Sequence, residues 1–410
     1  MISKETTSSI KISSLFFAIT FLAIGYGMIL TFVGVYLKEQ GISNTYIGII
    51  NSAFFMGAIA SSIFSQSIIS TVGHIRSFAT FASLMVISFL VHSIIFDLYV
   101  WTILRFISGF SFYALLIVLE SWLNEKSSHE NRGKMLAIYT IIFYLSTAIG
   151  QLFLNIDGNL KNSIFAIGST LILFSVLFIS LTKIKEPELK PFEHYSLPKI
   201  YSIVPLAATS SFIGGFFVGA FFTMIPVYIL SKFESLETVS YFMLISLIAG
   251  LLSQWPIGLV SDKLGRRKVI SFVAFFTAIV SSLFFFIENN TNLLYGCGFL
   301  MGLTIFSIYP LGVARANDVI DENKDVIEIS RTLLFTYGIG SFIAPLAIGF
   351  LSKYNENIIF LIFSSLGLFL TFYSLSKKRV ADDDLSSFVN IPVTSGLELP
   401  QLDPRNEQEI

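Results

Sequence analysis

Charge is scarce in this chain. Only 13% of its 410 residues are Asp, Glu, Lys or Arg, and the formal net charge is −1. An ordinary soluble domain carries roughly 25% charged residues, so nothing here offers a basic surface to nucleic acid. Cysteine is almost absent too. Cys297 stands alone, which excludes an intrachain disulfide and any cysteine-based metal site. Among the four histidines, His129-Glu130 lacks the second histidine of a zinc-protease helix. No Gly-x-Ser-x-Gly elbow and no phosphate-cradling P-loop occurs. The chemistry of an enzyme therefore has no visible carrier, direct drive by ATP has none either, and no cofactor or metal is expected.

What the chain has is apolar length. It is 54% hydrophobic, with 43 phenylalanines and a mean hydropathy of +0.76. Apolar runs fall at 13–37, 46–69, 77–96, 99–123, 134–155, 163–182, 200–231, 239–260, 268–287, 292–314, 331–352 and 357–376. Each approximates the ~20 residues with which an α-helix crosses a ~30 Å hydrocarbon layer. The first is too long for the apolar part of a signal peptide and reads as a retained span. The expectation is an all-α membrane protein of twelve transmembrane helices.

The connections alternate in charge. Of 26 Lys and Arg residues, 21 fall on the side of the N-terminus, including Lys126, Arg132, Lys263, Arg266, Arg267, Lys268, Arg315 and Arg331. Lys38, Lys161, Lys232 and Lys353 fall opposite, and Arg105 is left inside a span. By the positive-inside rule both termini are cytoplasmic. The expected organisation is a cytoplasmic N-terminus (1–12), a six-helix half (13–182), a Pro-containing cytoplasmic linker (183–199), a second six-helix half (200–376) and a polar tail (377–410) without sustained apolar period.

The halves share a signature. Gly258-Leu-Val-Ser-Asp262-Lys-Leu-Gly265-Arg266-Arg267-Lys268 follows the eighth span, and a looser copy, Gln66 to Arg76 with Ser70 and Gly73, follows the second. Parallel repeats around a central site are a transporter architecture. With this loop pattern the chain resembles the major facilitator superfamily over all twelve spans. Arg105-Phe-Ile-Ser-Gly109, Glu120-Ser-Trp-Leu-Asn124, Asn131-Arg132-Gly133 and Gln254-Trp-Pro-Ile-Gly258 resemble a bacterial branch with poorly assigned substrates. In most members the first copy of the loop pattern is the fuller one; here it is the second. The resemblance implies two pseudo-symmetric halves around a central cavity, in a bacterial cytoplasmic membrane. It further implies a secondary active carrier that works by alternating access on a small solute, with the proton as candidate coupling ion. A transport-inactive sensor or assembly factor on the same fold is the alternative. One chain holds both halves, so a monomer suffices.

The resemblance also assigns places. The loop of Gly258, Asp262, Gly265, Arg266 and Arg267 would latch the halves on the cytoplasmic side, Asp262 accepting from backbone N–H groups at the start of the fifth span, near Arg132 and Gly133. Ser70 in place of the other acid would leave the mirror latch, against Arg331, weaker. Arg105 sits where a charge costs at least ~2.5–3.5 kcal/mol, so it should face a cavity or a partner, and its planar fork suits a carboxylate, sulfonate or phosphate. Glu120 has two readings, a titrating site or a gate residue paired with Arg132 or Arg331, and its nearness to the basic loops favours the gate. In this family the first, second, fourth and fifth spans of each half line the path, which nominates Tyr26, Asn51, Tyr144, Gln151, Gln254, Trp255, Tyr309 and Tyr337 as solute contacts. The Gly215-x-x-x-Gly219 and Gly298-x-x-x-Gly302 pairs should serve close helix packing. Gly340, Pro345 and Gly349 should mark a bend in the eleventh span.

Overall fold

The computed structural model describes residues 2–126, 131–156, 163–181, 201, 203–288, 290–319 and 326–378, side chains at 2–12, 124–126, 132 and 326–331 excepted. The linker 183–199, the tail beyond 378, and the side chains of Arg132 and Arg331 lie outside the described residues. Within them every regular element is helical: α1 (Ile2–Glu39), α2 (Asn44–Val72), α3 (His74–Ile94), α4 (Leu98–Lys126), α5 (Arg132–Leu152), α6 (Ile164–Ser180), α7 (Pro205–Phe233), α8 (Leu236–Leu264), α9 (Arg266–Leu283), α10 (Thr291–Asn317), α11 (Val326–Leu351) and α12 (Ile358–Ser376). Eleven of these are long and apolar enough to span a membrane, and α6 is a shorter apolar helix. Helices are the open-ended solution in hydrocarbon because each satisfies its own backbone.

One departure from the expected spans lies in α7. The helix is interrupted at Met224, giving Pro205–Thr223 and Ile225–Phe233. Pro226 has no N–H for the carbonyl of Phe222, so the ladder breaks there.

The halves repeat each other in their turns and in their glycine contacts. Gly73 joins α2 to α3 at φ 90° and Gly265 joins α8 to α9 at φ 84°, backbone that only glycine adopts without strain. At both, the glycine N–H closes one helix (onto Ile69 and Ser261 carbonyls) and the glycine carbonyl opens the next, accepting from Ser77 and Val269. Helix pairs then touch backbone to backbone in matched places. A Cβ added at Gly27 would lie 2.6 Å from the Thr147 carbonyl oxygen (α1 on α5), and one at Gly219 would lie 2.7 Å from that of Ser341 (α7 on α11). At Gly109 it would lie 1.9 Å from the Phe54 oxygen (α2 on α4), and at Gly302 it would lie 2.0 Å from the Ser246 oxygen (α8 on α10). Close approach of this kind replaces the hydrophobic drive that lipid cannot supply.

Enclosure sorts the helices. In the most apolar stretches of α1, α4, α7 and α10, 72, 67, 94 and 83% of residues are buried, whereas the other spans so measured lie between 44 and 61%. These four therefore form the inner ring, and the axis between the halves runs among them. The halves also meet directly along α2–α11 and α5–α8. A Cβ at Gly48 would lie 2.3 Å from the Pro345 oxygen, one at Gly349 would lie 2.5 Å from the Asn44 oxygen, and Thr45 Oγ1 donates to the Gly349 carbonyl at 3.2 Å. Ser240 Oγ donates to the Gln151 carbonyl at 2.8 Å. Both meeting points lie at the end of the bundle away from the Gly73 and Gly265 turns.

Gly109→Val forces branched carbons into the Phe54 peptide and should cost at or above the ~3 kcal/mol of ordinary overpacking. Gly296→Ala, where nothing lies within 4 Å of an added Cβ, should be neutral. The melting temperatures of the two variants in detergent check this.

Candidate functional site

The site begins on α4, where the Gly57 and Gly109 contacts bring α2 against it. That approach sets Asn51 and Phe54 beside Arg105. Arg105 is 1% exposed; its Nη2 donates to Asn51 Oδ1 at 3.2 Å, and its guanidinium lies 4.7 Å from the centre of the Phe54 ring. Phe112, seven residues on and so on the same face of α4, continues the wall. Tyr26 of α1 stacks on Phe112 at 3.8 Å with 5° between the planes. It also sits 6.1 Å from both Phe54 and Phe143, and 6.3 Å from Phe222 of the other half.

The second half supplies the facing wall. Tyr309 of α10 packs on Tyr337 of α11 at 4.8 Å, and Tyr144 of α5 meets Phe306 of α10 edge-on at 5.7 Å. A proline explains one tie here. Pro310 cannot donate to the Phe306 carbonyl, four residues earlier. The Gln254 amide takes that place at 3.0 Å and reaches across the halves to the Tyr144 hydroxyl at 3.3 Å. Tyr113 of α4 packs edge-on against Phe54 and Phe112 at 6.3 and 5.6 Å, and like Tyr26, Tyr144, Tyr309 and Tyr337 it is buried. Aromatic side chains of both halves line the axis.

The structure thus gathers Arg105, Asn51, Tyr26, Tyr144, Gln254, Tyr309 and Tyr337 around one axis. Gln151 stands apart as a tie: its Nε2 donates to the Gly27 carbonyl at 2.8 Å, holding α5 to α1. Trp255 is 68% exposed and continues an outward stripe of α8 with Tyr241, Ile248, Leu252 and Leu259, turned away from the cluster. Tyr113, Phe54, Phe112 and Phe306 are cluster members that sequence reasoning passes over. The seven-residue step from Arg105 to Phe112, and the carbonyl freed by Pro310, are the signals that could have found them.

At the basic end, Glu120 is 3% exposed and accepts from the Tyr139 hydroxyl at 2.9 Å. The α8–α9 turn has its own network. Asp262 pairs with Arg266 at 2.5 Å, and Arg266 also donates to Ser261 Oγ. Arg266 Nε lies 3.5 Å from Asp318 Oδ2 at the end of α10, both side chains fully buried. That is a charge pair without the alignment of a hydrogen bond. Gly258 is buried and Gly265 forms the turn. Arg267 Nη1 donates to the Lys377 carbonyl at 2.6 Å, and Arg315 Nη2 to the Lys378 carbonyl at 2.8 Å, so the end of α12 is fastened to the same turn. These bonds all lie inside one half. Gly133 at the start of α5 is exposed, with nothing within 4 Å of an added Cβ.

The sequence profile of the Major Facilitator Superfamily matches residues 15–252 and 207–389. The chain belongs to this superfamily. It is similar to the uncharacterized MFS-type transporter YcaD of Escherichia coli O6:K15:H31 (strain 536 / UPEC), 24% identical over 347 residues that cover 84% of this chain and 90% of the relative. Its identity to YcaD of Escherichia coli K12 (strain DH10B) is the same. In fold it is similar to the nucleoside transporter NupG, with TM-score 0.70, 16% identity, and coverage of 90% of this chain and 99% of that one. It is also similar to a bacterial homologue of the human lysosomal transporter Spinster in an inward-facing and unoccupied conformation, with TM-score 0.68, 11% identity, and coverage of 90% and 93%. The protein is accordingly a multi-pass membrane transporter acting on small molecules, with two six-helix halves in one bundle.

Asp318→Ala removes a fully buried partner from Arg266 and should lower stability by about 3–5 kcal/mol. Asp262, 34% exposed in its side chain, should cost under about 1 kcal/mol when replaced by Ala. Thermal unfolding of the two variants gives the ordering.

Proposed function

We propose that this protein is a secondary active carrier that moves a small solute across the bacterial cytoplasmic membrane by alternating access, as a single chain with both termini in the cytoplasm. The observation that carries this reading is the axial cluster. Polar and aromatic side chains of both halves meet mid-bundle at Tyr144–Gln254 and Tyr26–Phe222. With the basic end in the cytoplasm, the Gly48–Pro345 and Gln151–Ser240 contacts lie on the outer side and close it. Opening outward then means parting the α2–α11 and α5–α8 contacts at that end rather than unravelling a helix, the kind of rigid-body motion repeat carriers use.

In the same reading Tyr26, Asn51, Arg105, Tyr144, Gln254, Tyr309 and Tyr337 contact the solute. Gly258, Asp262, Gly265, Arg266 and Arg267 form the cytoplasmic latch of the second half, for which Arg132 and Arg331 are the candidate counterparts. Glu120, enclosed near that end and bonded to Tyr139, is the carboxylate through which a proton gradient acts.

Three measurements test this. Purified protein in liposomes should show saturable, gradient-driven solute flux, and none in any solute class would leave a sensor. A Gln151→Cys and Ser240→Cys pair, clean because Cys297 is buried and single, should cross-link under oxidant and stop flux until reduced; flux that persists in the cross-linked protein sinks alternating access at this end. Glu120→Gln should abolish flux driven by an imposed pH gradient while solute exchange across the membrane continues. Unchanged pH-driven flux would remove the proton from the mechanism.

A further inference from the structure

A guanidinium carries a full charge and five N–H donors in a fixed fork. Arg105, buried inside the bundle, makes one hydrogen bond, from Nη2 to Asn51 Oδ1 at 3.2 Å. Its Nε has no partner. Only the carbonyl oxygen of Asn51 can accept from the guanidinium, so that bond fixes which way the amide faces. Asn51 Nδ2, on a fully buried side chain, is then a second donor without a partner. Among the described residues the ion pairs belong to Arg266, with Asp262 and Asp318, and no carboxylate pairs with Arg105. The Phe54 face at 4.7 Å and one amide oxygen offer partial charge only, and a buried charge left without a counter-ion costs several kcal/mol. His92 gives no help, since its ring bonds to the Ser88 carbonyl at 2.6 Å.

Two idle donors on one buried cationic site are a receptor for an anion that arrives from outside the chain. We infer that the solute is an organic monoanion, a carboxylate with a flat apolar body, whose oxygens bridge Arg105 Nε and Asn51 Nδ2. The single positive charge matches one negative charge; a dianion would remain half uncompensated. The body packs among the aromatic rings next to Arg105, Phe54 and the parallel Tyr26–Phe112 pair. This inference rests on the carrier reading above and deepens it by naming the class of solute.

The test uses the full chain in detergent, matched acid and amide pairs, and unfolding temperature as readout. The pairs are benzoate with benzamide, phenylacetate with phenylacetamide, and indole-3-acetate with indole-3-acetamide. At least one acid should raise the melting temperature of the wild type by several degrees while its amide does not, and Arg105→Met and Asn51→Asp should each erase the shift. Asn51→Asp sets a carboxylate beside the guanidinium, so it should also melt above the wild type when no solute is present. A shift by the amide equal to that of its acid, a shift that survives Arg105→Met, or no shift by any acid overturns the class. So does a lower melting temperature for Asn51→Asp, because it would mean that Arg105 is already neutralised. Chloride or phosphate matching the best acid would overturn the role of the aromatic wall. The two readings fail separately. Flux of a neutral solute with no acid effect removes the class and keeps the carrier; acid binding without flux removes the carrier and keeps the class.

Discussion

Backbone-to-backbone contact between helices is the constraint on which the rest of this structure depends. In hydrocarbon an apolar side chain gains nothing by leaving lipid for protein, so helices associate where they fit most closely. Here the fit comes from glycines at matched places in the two halves, Gly27 with Gly219 and Gly109 with Gly302. Those contacts fix the rotation of each helix about its own axis. The α2–α4 contact at Gly109 turns Asn51 and Phe54 toward Arg105, and the α8–α10 contact at Gly302 turns Gln254 toward the Phe306 carbonyl. Position of the chemistry is thus inherited from packing.

Against that framework the inner ring reads as a place where polarity is rationed. Gln254 serves two acceptors at once, one in each half. The basic end follows another logic, with Arg266 inside a fully buried charge pair and Arg267 and Arg315 satisfied by main-chain carbonyls of the last helix. Arginine there organises the half that owns it. Arg105, by contrast, is organised by its neighbours and left with capacity to spare.

Much of this was legible in the sequence, for physical reasons. Apolar runs of spanning length report bilayer thickness directly, and the Gly265 turn shows because its φ admits little else. The glycine pairs of α7 and α10 pack as their spacing suggests: Gly219 meets Ser341 and Gly298 meets the Phe242 ring. What stayed hidden depends on rotation and on partners distant in the chain. Trp255 is one residue from Gln254, yet 100° around the helix, which is enough to put it on the outward stripe. Phe306 carries no polar or charged signal to single it out among so many aromatics, whereas Tyr113, on the fourth span, carries the same hydroxyl that nominated Tyr26 and Tyr309. The interruption at Met224 could have been read from Pro226, since a missing N–H is a local fact. The pairing of Arg266 with Asp318 could not, because it joins turns that only the folded half brings together.

The enclosure of α7 has a consequence for how the protein is made. With 94% of its apolar stretch buried, this helix is scarcely wetted by lipid in the finished bundle. Yet α10 and α11, which cover it, are synthesised later. Its mean hydropathy of 2.0 lets it rest in bare bilayer meanwhile, while Ser210, Ser211 and the glycine face wait for neighbours. Its composition therefore answers to two solvents in succession, oil during biogenesis and protein afterwards.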